Sequence, residues 1–150
     1  MPARLSGSFE ADAAIAALRR KTAAVDRVSS VALRRAGLVV ERAIKEKLSE
    51  QGRHRPGTPT PSSPGEPPSI ITGALRASVR TTEPKRFGFA SYELMVGPTM
   101  VYSRIQELGG VAGRGVTLPA RPYVRPAFEA SAGQAHDEMM NYWRKALFGG

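Results

Sequence analysis

No cysteine occurs among the 150 residues. Disulfide frameworks, thiol nucleophiles and cysteine-type zinc sites are thereby excluded together, and nothing points to an oxidising compartment. No apolar run approaches the ~20 residues that a membrane span needs. Glu10 and Asp12 interrupt the stretch where the apolar segment of a secretory signal would begin. Acidic residues are scarce relative to basic ones: 13 Asp and Glu face 22 Lys and Arg, a formal net charge of +9. The expectation is one soluble, basic domain over residues 1–150, made in the cytoplasm and large enough to bury a core without metal or disulfides.

The charge is uneven. Residues 1–60 hold 12 Lys and Arg against 6 acids, and residues 61–150 hold 10 against 7. A basic half suggests a polyanion such as nucleic acid, although a solvated basic helix face accounts for it equally well.

Residues 10–50 contain no proline and one glycine, Gly37, amid abundant Ala, Leu, Arg, Glu and Lys; they predict a helix. At 100° per residue, Leu18, Val25, Ala32, Ala36, Val39 and Ala43 fall on a core face, while Arg20, Arg27, Arg34, Glu41 and Lys45 lie opposite. Such a helix is roughly 60 Å long, against a diameter of roughly 40 Å for a globule of this length. Either Gly37 kinks it or the overhang packs on another subunit. Residues 52–70 carry six of the twelve prolines, which excludes helix and central strand and leaves a linker, a disordered tip or an arm that grips a neighbour.

Beyond it, Thr72 is placed to cap a short turn over Gly73–Arg76, and Ser78–Thr82 reads as a strand. Glu83–Arg86 reads as a hairpin turn. Tyr92, Leu94 and Val96 alternate with Ser91, Glu93 and Met95 as in a half-buried strand, and the out-of-phase Phe87 and Phe89 predict a bulge near Ala90. Thr99–Leu108 reads as a helix stopped by Gly109 and Gly110, and Val116–Leu118 as a brief strand. A last helix starts around Pro126, with a stripe of Phe128, Ala132, Ala135, Met139, Tyr142, Trp143 and Ala146 that predicts cover for the sheet. The fold class is α+β: a long N-terminal helix and a C-terminal amphipathic helix packed on a small antiparallel sheet, with a Pro-rich extended arm.

Catalytic chemistry finds little support. His54 and His136 are isolated, without the partners of a metal site. No Gly-x-Ser-x-Gly elbow exists. The glycine cluster Gly109–Gly115 lacks the Gly-Lys-Ser/Thr ending of a phosphate cradle and reads as a hairpin loop. The acids are scattered singly. The expectation is no enzyme, no cofactor and no metal. Arg20, Arg27 and Arg34 are candidate DNA-facing residues; without a recognition module, contact would be with phosphates and insensitive to sequence.

Three ordered stretches carry a resemblance. They are Pro61-Ser62-Ser63-Pro64-Gly65-Glu66-Pro67-Pro68 followed by Thr72-Gly73-Ala74-Leu75-Arg76-Ala77-Ser78-Val79; Val96-Gly97 leading into Val101-Tyr102 and Glu107-Leu108-Gly109; and Pro119-Ala120-Arg121-Pro122-Tyr123-Val124-Arg125-Pro126-Ala127. The set resembles the tail-completion, or head–tail joining, family of long-tailed bacteriophages and is similar to the lambda Z-type minor tail proteins. Ser103, Leu108 and Tyr123 depart from the family pattern. The resemblance implies a non-catalytic virion protein of the neck and upper tail, forming or joining a six-fold ring of copies. It implies contact with neighbouring stopper or connector, terminator and tail-tube proteins, non-specific contact with genomic DNA in the channel, and no membrane. The candidate subunit or neck interface comprises Pro61, Pro64, Gly65, Pro67, Pro68, Gly73, Leu75, Arg76, Tyr102, Glu107, Gly109, Arg121, Pro122 and Pro126. Two of these have a structural alternative: Arg121 as a brace for entry into the last helix, and Glu107 as a helix-end partner of Arg76 or Arg121. The alternative function is a small basic DNA-binding protein indifferent to sequence.

Overall fold

The computed structural model describes residues 8–52 and 62–149; His54 and Pro61 lie outside the described residues. Helix α1 spans Ser8–Lys47 without interruption, and Gly37 does not end it. A β-carbon at Gly37 would sit 2.7 Å from Thr81 Cγ2 and 3.1 Å from both δ-carbons of Leu94. The glycine is therefore the point where later strands cross the helix closely. The Thr81 hydroxyl donates to Glu41 Oε2 at 2.7 Å and lies 3.2 Å from the Gly37 carbonyl. Glu41 and Lys45, expected on the outer face, are partly buried here and paired with each other. Burial alone would raise the Glu41 carboxyl, but Lys45 and Thr81 outweigh it and hold the group below its ordinary range.

The buried line of α1 is Ala32, Ala36, Val40 and Ile44, continued by Leu48 just beyond the helix. Val39 and Ala43, expected on the core face, flank it half-buried. Leu18, also expected in the core, is 63% exposed. Helix α4, Val124–Phe148, covers this line with Ala127, Ser131 and Ala135, and Tyr123 is fully buried at its start. Small residues on both helices allow close approach, so α4 packs mainly on α1 and not on a sheet as expected. Phe128 and Ala146, expected on its buried stripe, are exposed. Ile44, Leu48 and Tyr123 anchor the core, at about 1.5–3 kcal/mol for each large apolar side chain fully buried.

The two helices run antiparallel. Arg35 Nη1 pairs with Glu138 Oε1 at 3.0 Å, and its guanidinium lies 4.5 Å from the centre of the Tyr142 ring. Further along, Trp143 Nε1 donates to Ser29 Oγ at 3.1 Å.

Between the helices in sequence come α2 (Ala74–Ala77), β1 (Val79–Thr81), β2 (Lys85–Gly88), β3 (Ser91–Glu93), β4 (Val96–Pro98), α3 (Ser103–Leu108), β5 (Gly110–Val111) and β6 (Thr117–Leu118). Thr72 Oγ1 accepts the Ala74 N–H at 3.2 Å, a turn bond to the residue two on; the N-cap of α2 is Gly73, not Thr72, and no side chain caps it. Strand β1 pairs antiparallel with β4, and β2 with β3. Thr82 bridges the two ladders, donating its N–H to the Met95 carbonyl and accepting the Met95 N–H on its hydroxyl. Residues 79–98 therefore form one long two-stranded ribbon. Glu83–Arg86 is not the reversal that its turn chemistry suggested: Pro84 only interrupts the ladder, and the chain turns at Gly88–Ser91. The register slips between Arg86 and Gly88, placing the bulge at Phe87, while Ala90 takes a positive φ of 49° in the turn.

The fold is α+β as expected, its small antiparallel sheet being three two-stranded ladders: the first two are joined in the ribbon, and the third is β5 with β6. Glu93 and Met95 are exposed while Tyr92, Leu94 and Val96 are half-buried, as the alternation predicts. Among the described residues, no helix is long and apolar enough to cross a membrane.

Candidate functional site

The three motif stretches converge on the start of α4. A helix leaves the backbone N–H groups of its first four positions without intrahelical partners; here those positions are Tyr123, Val124, Arg125 and Pro126. Glu107, in the last turn of α3, satisfies three. Its Oε2 accepts from Tyr123 at 2.7 Å and Val124 at 2.9 Å, and its Oε1 accepts from Arg125 at 3.0 Å. The fourth position is proline, which has no N–H. One carboxylate therefore completes the helix end and places its negative charge at the positive pole of the dipole. It binds neither Arg76 nor Arg121, its two expected partners.

Gly109 closes the junction from the other side. It ends α3 with φ 69° and ψ −175°, and a β-carbon there would lie 2.7 Å from Ala120 N and 2.9 Å from Leu118 O. Arg121 donates its backbone N–H to Gln106 O at 2.8 Å, and its guanidinium reaches Ser62 O at 3.2 Å from Nη2. Gly65 donates to Ala120 O at 2.9 Å, and Pro67 and Pro68 are buried. The described half of the Pro-rich segment is therefore docked on its own domain. The sequence leaves a linker, a disordered tip or an arm that grips a neighbour open; the described residues 62–70 instead pack on their own chain.

Other candidates serve similar ends. Arg76 Nε donates to Lys45 O at 3.1 Å, placing a cation on the last turn of α1, where the dipole favours it. Gly73 takes φ 81° ahead of α2, and Leu75 packs half-buried against the core. Pro122 and Pro126 are half-buried, whereas Pro64, Gly65, Arg76 and Tyr102 remain exposed. Among the described residues of the candidate interface, these last four are the most exposed.

Tyr123 has no exposed surface, and its hydroxyl donates to Ser103 O at 3.3 Å. Burial, then the Glu107 carboxylate and Tyr102, push the phenol well above its ordinary value. At neutral pH the group is protonated whether folded or unfolded. Above about pH 10 the unfolded phenol ionises while the folded one resists, so its contribution is complete below that pH and declines as pH rises. Tyr123→Phe is expected to cost about 1 kcal/mol at pH 7 and to flatten the stability loss between pH 10 and 11 in urea titrations. Parallel pH profiles for the two proteins would refute this assignment.

The arginine stripe is not uniform. Arg20, Arg27 and Arg34 are all exposed, but Arg34 forms an ion pair with Glu83. Among the described residues no carboxylate pairs with Arg20 or Arg27. Asp26, between them, accepts the Ala90 N–H at 3.0 Å and lies 3.4 Å from Arg86 Nη2, tying the ribbon tip to α1. That tip carries an apolar surface that the motifs do not show: Phe87 and Phe89 are each more than half exposed, as is Met95 further along the ribbon. The failure of Phe87 and Phe89 to match the strand alternation was the available signal. Val101, Val111 and Val116 add exposed apolar surface around α3 and the β5–β6 hairpin.

Among the described residues, no three His, Cys, Asp or Glu side chains are grouped so as to hold a metal ion. No family model, curated protein or solved structure matches this chain.

Proposed function

We propose that this chain is a structural protein of the neck of a long-tailed bacteriophage, completing the tail and joining it to the head within a six-fold ring. The ordered motif set carries this reading. Two features of the fold support it. Residues quoted from all three stretches brace one junction, as expected if the motifs preserve a shared architecture and not a reaction centre. Exposed apolar side chains at the ribbon tip and around α3 supply contact surface of the kind that a ring of identical copies closes by head-to-tail contacts.

In this reading the protein is made in the host cytoplasm, resides in the virion and needs no cofactor. Its neighbours are other neck and tail proteins, contacted through Pro64, Gly65, Arg76, Tyr102 and the ribbon tip. Arg20 and Arg27 face DNA or solvent. Pairing of Arg34 with Glu83 shortens the basic stripe and weighs against an autonomous DNA-binding protein. Such a protein would hold duplex DNA tightly and lose affinity steeply with salt.

Particles assembled without this protein are expected to appear by electron microscopy as separate heads and tails, or as tails without a finished upper end. Normal infectious particles would sink the proposal.

A further inference from the structure

Helix α1 outruns its cover. The antiparallel contacts of Arg35 with Glu138 and of Ser29 with Trp143 set the register of α4. They place its last residue, Phe148, opposite about residue 24 of α1. The first roughly 16 residues of α1, about 24 Å of helix at 1.5 Å per residue, therefore project past the end of α4. At 100° per residue, Ala11, Ile15, Leu18, Thr22 and Val25 share an arc of about 80°. Ser29, Ala32, Ala36 and Val40 continue the same sector beneath α4. The projecting stripe is thus the uncovered extension of the helix face that α4 buries. Ile15 is 48% and Leu18 63% exposed, and the Thr22 hydroxyl is satisfied within the helix, donating to Arg19 O at 2.9 Å.

We propose that this stripe is a two-fold docking surface for the same stripe of a second copy of this chain, with the two helices antiparallel. Spacings of four, three, four and three from Ala11 to Val25 are those of a coiled-coil seam. Read in opposite directions, the seam matches itself: Ile15 meets Leu18 of the second copy, and Ala11 meets Thr22. Charge agrees with this direction. Asp12 and Arg19 lie on the same flank of the seam, and antiparallel helices bring equivalent flanks together. Each copy's Asp12 then faces the other's Arg19, giving two opposite-charge contacts by symmetry. Parallel pairing would instead match Lys21 with Asp26, which is already engaged by Arg86 and the Ala90 N–H. The contact is short, below the ~1,000 Å² of a stable interface, so the pairing is weak, with a dissociation constant on the order of 100 µM. A two-fold contact limits itself to pairs, so it is separate from head-to-tail ring contacts and does not rest on the neck reading.

Sedimentation equilibrium of the full-length protein from about 10 µM to about 1 mM tests the proposal. The expected result is a monomer–dimer equilibrium that Leu18→Glu weakens at least tenfold while leaving the circular dichroism spectrum unchanged. Asp12→Arg should weaken the dimer several-fold by setting like charges opposite each other, and adding Arg19→Asp should restore it. A monomer at every concentration would overturn the proposal and give the stripe to a different partner. A dimer that survives Leu18→Glu would overturn it too, as would a double charge variant no tighter than Asp12→Arg alone.

Discussion

Replacing Glu107 with alanine is expected to lower the stability of the isolated protein by about 3 kcal/mol. The carboxylate accepts from Tyr123, Val124 and Arg125, three donors with no alternative partner inside α4. An ordinary capping side chain is worth ~1 kcal/mol, and hydrogen bonds to a charged group about 1.5–3 kcal/mol each. The three are not additive, because water reaches part of this half-buried site once the carboxylate is gone. For a chain of this length the midpoint of thermal unfolding should fall by about 6–12 °C. Glu107→Gln keeps one carbonyl acceptor and the side-chain shape but loses the charge at the helix pole, so it should recover about half of the loss. An alanine variant within 1 kcal/mol of the parent in urea titrations would mean that the α4 terminus is held by something else.

The contrast between Glu107 and α1 shows which features a sequence exposes. The long helix was readable because forty residues of high helix propensity without proline admit no other reading. Its exact buried line was not readable, since Val39, Val40, Ala43 and Ile44 are all apolar and the choice depends on where α4 lies. Leu18 illustrates the same point: its periodicity is that of a core residue, but it sits beyond the end of the covering helix. Periodicity reports that a face needs cover, not which element supplies it.

Strand pairing was hidden for a related reason. Turn chemistry at Glu83–Arg86 is local, whereas the pairing of β1 with β4 is decided by packing on α1 at Gly37, Thr81 and Leu94. Partners of Glu107 escaped because they are backbone N–H groups, which carry no residue identity. Side-chain reasoning naturally looked for arginines. The motif residues themselves were visible from the start. Folding changes their meaning: Pro67, Pro68, Glu107, Gly109 and Arg121 hold their own domain together, and only a minority of the set faces outward.

Gly109→Ala should be the most disruptive of the glycine substitutions, at about 4 kcal/mol, because two costs coincide there. At φ 69° and ψ −175° the backbone is in a region that is essentially glycine-only, which costs about 1–3 kcal/mol for any other residue. The added β-carbon would also press on Ala120 N and Leu118 O, both backbone atoms and both within 3 Å. Neither can retreat freely. Leu118 is paired with Gly110 across the β5–β6 ladder, while Ala120 accepts from Gly65 and precedes the Arg121 N–H bound to Gln106. The nearby hairpin supplies controls that separate the two costs. Gly115 has φ 76° with nothing within 4 Å of an added β-carbon, and Gly113 has open space without the positive φ. Gly115→Ala should therefore cost about 1–2 kcal/mol for backbone strain alone, and Gly113→Ala should stay within about 0.5 kcal/mol of the parent. Equal losses at Gly109 and Gly115 would mean that the close approach between α3 and the segment leading into α4 is not maintained in solution. A graded series would show that this close approach is kept in solution and that the contact adds to the backbone strain at Gly109.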